Sequence, residues 1–70
     1  MTAEIQKAYQ IELQSYKNSL MTHQWGLAWH HLERAHILGQ NFTLPHIQTH
    51  WLMLCLGIRT LNFIKTVYLL

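Results

Sequence analysis

Seventy residues, half of them apolar, carry five Lys plus Arg against three Asp plus Glu, which is enough chain for one small domain and too little for two. The lone cysteine excludes a disulfide scaffold and a cysteine-rich zinc finger. The formal charge of +2 is spread over Lys7, Lys17, Arg34, Arg59 and Lys65 without a cluster or stripe, so nucleic-acid binding has no electrostatic footprint.

From Ala3 onward, Ile5, Tyr9, Leu13 and Tyr16 recur at spacings of an amphipathic helix, with Lys7, Gln10 and Gln14 on the opposite side. This predicts a first helix over residues 3–18. Thr22 reads as the N-cap of a second helix over 23–39, whose apolar face is Trp25, Ala28, Trp29, Leu32, Ala35 and Gly39. Gly39, Gln40 and Asn41 supply a stop, since glycine tolerates the left-handed conformation past a helix end. Thr43, Leu44 and Pro45 open a third helix, predicted over 44–62, with Ile47, Trp51, Leu54, Ile58 and Leu61 as its inward face. The aromatic and β-branched content after Arg59 fits a helix less cleanly. The expected architecture is all-α: two or three antiparallel helices in one hairpin or small bundle spanning residues 1–70.

The N-terminal stretch holds Glu4, Glu12 and several glutamines with no apolar core, which argues against a secretory signal and for a cytoplasmic location. The apolar run from Trp51 to Ile58 is too short for a membrane span, which needs about 20 residues. Contact of the C-terminal helix with a membrane surface remains open, although Arg59 and Lys65 are few cations for anionic lipids.

Six histidines in so short a chain are the main chemical signal. Glu33 and His36 stand three apart and His46 and His50 four apart, so each pair projects from one side of its helix. Taking 100° per residue, His36 falls about 40° and Glu33 about 100° from Leu32, while His50 falls about 40° and His46 about 80° from Leu54. A turn centred between Asn41 and Phe42 sets His36 level with Ile47 and Glu33 level with His50. Helices about 8 to 10 Å apart then gather Glu33, His36, His46 and His50 at one end of their interface.

Three imidazoles and a carboxylate suit Zn²⁺ or Fe²⁺. Glu-x-x-His is also the helical spacing of di-iron bundles, but three acids cannot furnish a di-iron site in one chain. The same histidines also read as satisfied core residues, with Glu33 accepting from His36 or pairing with Arg34 or Arg59, or as proton-transfer groups. His30 and His31 point away from the cluster, to solvent or another element, and His23 reads as surface. Trp25, Trp29 and Trp51 read as core rather than a ligand cage, and Cys55 as a small hydrophobe. No phosphate loop, nucleophile elbow or acid pair is present, no catalytic residue is assigned, and nothing selects a substrate.

The string Ala28-Trp29-His30-His31-Leu32-Glu33-Arg34-Ala35-His36-Ile37-Leu38-Gly39-Gln40, with His46 and the later His50-Trp51-Leu52-Met53-Leu54, resembles the bacterial family called domain of unknown function 3703. The resemblance covers about residues 25 to 58 and carries over His31, Glu33, His36, His46, His50 and Trp51 as motif positions. It implies a short helical protein and names no reaction. Beyond Gly57 the family pattern continues through an Arg-rich stretch and another helix that are lacking here, which implies a shortened or divergent member.

Two functions compete. A metal would stabilise a domain this small, since one core below about 70 to 80 residues supplies only about 3 to 5 kcal/mol. A helical interaction module or homodimer, with Leu52, Leu56, Phe63 and Leu70 as its docking face and the histidines purely structural, meets the same need.

Overall fold

The computed structural model describes residues 1–60, which form three helices: α1 (Ala3–Met21), α2 (Trp25–Gly39) and α3 (Thr43–Thr60). The end of the expected third helix, the segment after Thr60 and the proposed docking residues Phe63 and Leu70 lie outside the described residues.

Thr2 caps α1, its hydroxyl accepting from the Ile5 N–H at 3.2 Å. The helix runs past residue 18 because its end is closed at Thr22. The Gln24 N–H bonds the Ser19 carbonyl at 2.9 Å and the His23 N–H bonds the Leu20 carbonyl at 3.1 Å, the paired closure in which the residue past the cap turns left-handed. His23 occupies that position with φ 56°, where glycine is the easier residue; histidine is among the few others that adopt it. Thr22 therefore closes the first helix instead of opening the second. α2 begins two residues later than expected, with the Ala28 N–H bonding the Gln24 carbonyl at 2.9 Å.

Helix α2 lies between the other two and packs against both. Its predicted face is buried: Ala28, Leu32 and Ala35 are fully covered, with Trp29 and Gly39 beside them. Tyr16 of α1 and Met53 and Leu56 of α3 join Ala28, Trp29 and Leu32 in one cluster, while Tyr9 and Leu13 close over Ala35 in a second. Lys7, Gln10 and Gln14 face solvent as expected.

The third helix is rotated from the sequence reading. Its buried residues are Thr49, Met53, Leu56 and Gly57, whereas Ile47, Trp51 and Ile58 are 60%, 64% and 55% exposed. The cause is visible in the sequence: Trp51 to Ile58 is an unbroken apolar run, so over those turns periodicity does not select a face. Buried Thr49 fits because its hydroxyl lies 3.1 and 3.0 Å from the Pro45 and His46 carbonyls of its own helix. Consequently Leu56 belongs to the core and Leu52 packs against it, so these two do not form the outer docking face. Trp51 is surface rather than core, and Cys55 is an exposed thiol.

The turn from α2 to α3 depends on Gly39, though not through a left-handed backbone: no glycine has positive φ. Gly39 is the last residue of α2, and a β-carbon there would stand 2.8 Å from Pro45 Cβ and 3.1 Å from Tyr9 Cε2. Its missing side chain lets the first turn of α3 and the Tyr9 ring approach the helix together. Tyr9 then donates to Gln48 Oε1 at 2.7 Å, with the Pro45 carbonyl 3.3 Å away.

Two glycine substitutions should thus have opposite signs. Gly39→Ala gains about 1 kcal/mol of helix propensity but drives a methyl into a rigid proline ring and a buried aromatic, an overpacking cost of about 1–3 kcal/mol. Gly26→Ala meets nothing within 4 Å and keeps only the gain. Thermal unfolding should show a lower melting temperature for the first variant and a higher one for the second.

Candidate metal site

The hairpin brings His36 of α2 against His46 and His50 of α3. His50 Nε2 lies 2.8 Å from His46 Nε2 and 3.1 Å from His36 Nε2. One ligand nitrogen from each ring falls within 4.8 Å of the others, and all three residues are half-buried. The His36 and His46 ring centroids are 5.1 Å apart, so His36 faces both α3 histidines.

The arrangement is crowded for three imidazoles. A neutral imidazole nitrogen either donates one hydrogen or accepts at one lone pair. His50 Nε2 faces two nitrogens, so a single hydrogen there is either divided between both in a bifurcated bond or serves one of them alone. Around a tetrahedral ion with bonds of 2.0–2.1 Å, neighbouring nitrogens stand about 3.3 Å apart; the two pairs that include His50 are at 2.8 and 3.1 Å, and all three lie within 4.8 Å of one another. The second nitrogen of His50, Nδ1, is buried and has no hydrogen-bond partner among the described residues.

Burial and mutual proximity favour the neutral form of two of these rings. Burial first, then the neighbouring imidazoles of His50 and His46, hold His36 below its ordinary 6.5. Burial, then His46, does the same to His50. Neutral rings expose the lone pairs that ligation requires.

Glu33, expected beside them, is half-buried but is not a member of the group of mutually close ligand atoms, which comprises the three imidazoles. Arg34 Nε donates to Glu12 Oε1 at 2.7 Å, and Arg59 lies over the Trp25 ring, 5.3 Å from its centroid.

Glu12 is the functional-type residue that the sequence reading missed. Its side chain is 10% exposed, and Oε2 lies 2.7 Å from His31 Nδ1, so His31 meets another helix. Burial pushes this carboxyl up. The hydrogen bonds from His31 and Arg34, with the Arg34 charge, outweigh that and leave it below its ordinary 4.5. The signal was present in the sequence: Glu12 sits three residues after Tyr9 and four before Tyr16, inside the apolar stripe.

The chain matches the family model described as a protein of unknown function, DUF3703, over residues 3–67. It belongs to this family. The match extends at both ends past the stretch that carries the motif resemblance. No curated protein and no solved structure matches the chain. Among the described residues of this DUF3703 protein, no helix is long and apolar enough to cross a membrane.

Two consequences follow for stability. Losing the Glu12 carboxylate strands the His31 donor and releases Arg34, so Glu12→Ala should cost about 1–3 kcal/mol in chemical denaturation. For pH, His36 and His50 titrate lower in the fold than in the unfolded chain, so below 6.5 the unfolded state binds more protons and stability falls as pH falls. The Glu12 contribution is present above 4.5 and is lost as pH drops through the lower folded value. The melting temperature should hold above pH 7 and decline in two stages on acidification. In His36→Gln the first stage should shrink and the second persist.

Proposed function

We propose that this DUF3703 protein binds one divalent transition metal, Zn²⁺ or Fe²⁺, through the Nε2 atoms of His36, His46 and His50. The observation that carries the reading is the convergence of three imidazoles, with the His46 and His36 Nε2 atoms 2.8 and 3.1 Å from that of His50, a contact set suited to a shared cation. Imidazole suits both ions. The fourth position falls to a water molecule or to Glu33, the remaining candidate from the sequence.

Binding to the folded state alone stabilises by about 2.7 kcal/mol at a free metal concentration one hundred times Kd, so Zn²⁺ should raise the melting temperature by several degrees. Elemental analysis should find one equivalent of metal, lost in His50→Ala and kept in His30→Ala, whose ring is exposed. Glu33→Gln should leave affinity within about threefold if water completes the site and lower it tenfold or more if the carboxylate does. A metal-free protein whose melting temperature ignores Zn²⁺ and Fe²⁺ would eliminate the proposal.

A second reading takes the histidines as structural and the outer face of α3 as a dock for a second copy or another protein. The exposure of Leu44, Ile47, Trp51 and Ile58 favours it.

A further inference from the structure

Beside the histidines runs an open groove of about 500 Å³ lined by His46, Ile47, His50, Trp51 and Leu54. Its volume falls within the usual range for small-molecule sites, and two of its five lining residues are proposed metal ligands. We propose that this groove binds an amphipathic monocarboxylate, with its head oxygen completing the metal's coordination and its hydrocarbon body lying along α3. The inference rests on the metal reading and names the ligand class of that same site.

Charge selects the head group. An imidazole ligates without charge, so three of them leave the charge of a divalent ion uncompensated, and the chain has three acids in all. Glu12 is committed to His31 and Arg34, and Glu33 lies outside the close ligand group. An anionic fourth ligand is the favoured complement.

Lining chemistry selects the body. Among the described residues, the groove presents Ile47, Trp51 and Leu54 apart from the two imidazoles. Sugars, nucleotides and other ligands with several polar groups would find no partners along it, whereas an aliphatic chain covers Ile47 and Trp51, now 60% and 64% exposed. From His46 to Leu54 the helix advances ~12 Å, a span suited to a medium-chain acid.

The test uses the full chain loaded with Co²⁺, whose visible absorption reports on its ligands, titrated with octanoate, acetate and octanol. Octanoate should perturb the cobalt bands at a concentration at least tenfold below acetate, and octanol should leave them unchanged. Trp51→Ser combined with Ile47→Asn, both surface changes, should retain Co²⁺ and reduce octanoate to the acetate level. Equal potency of octanoate and acetate would overturn the proposal, as would an octanoate advantage that survives the double substitution. So would sedimentation showing a dimer, closed over this face, that octanoate neither enters nor dissociates. Failure to develop cobalt bands at all would overturn the metal reading and this inference with it; bands indifferent to octanoate would overturn this inference alone.

Discussion

The close approach at Gly39 is the constraint on which everything near the histidines depends. α3 folds back this closely along α2 because the last residue of α2 carries no β-carbon where the Pro45 ring and the Tyr9 ring meet it. That contact fixes the start of α3, and His46 is the next residue after Pro45. One turn later His50 takes its position from the same origin, opposite His36. A displacement of an ångström at the turn would thus be transmitted to the nitrogen contacts through a rigid helix.

The molecule also divides its scarce charge with economy. With charged residues at 11% of the chain, the buried acid Glu12 joins α1 to α2 through His31 and Arg34. Such a buried pair is weak evidence of net stability, because desolvation offsets much of the attraction. Its more secure contribution is to hold α1 and α2 in one register, since any other would bury a carboxylate without partners. The imidazole cluster joins α2 to α3 instead, through His36, His46 and His50.

Legibility followed the contrast between polar and apolar faces. α1 and α2 were readable because Lys7, Gln10 and Gln14 oppose Tyr9, Leu13 and Tyr16, and because Ala28, Leu32, Ala35 and Gly39 mark one stripe. In α3 the run from Trp51 to Ile58 is apolar without a break, so the reading turned Trp51 inward when the fold turns it outward. His36, His46 and His50 still came together as expected, because they sit near the edge of the interface, where the position of the turn decides proximity more than helix rotation does. The boundary at Thr22 was misread because threonine can close a helix with its hydroxyl as readily as open one. Glu12 was passed over because a carboxylate inside an apolar stripe is anomalous until its partners on the neighbouring helix are known.

The described residues form a flattened body, with extents of 34 × 24 × 13 Å, and helix α2 is its only central element. In so thin a body no side chain lies far from bulk water, and the histidine cluster opens beside a groove instead of sitting in a sealed chamber. Among the described residues, an ion held there would stand at the mouth of that groove, and its residence would be governed by the strength of its bonds.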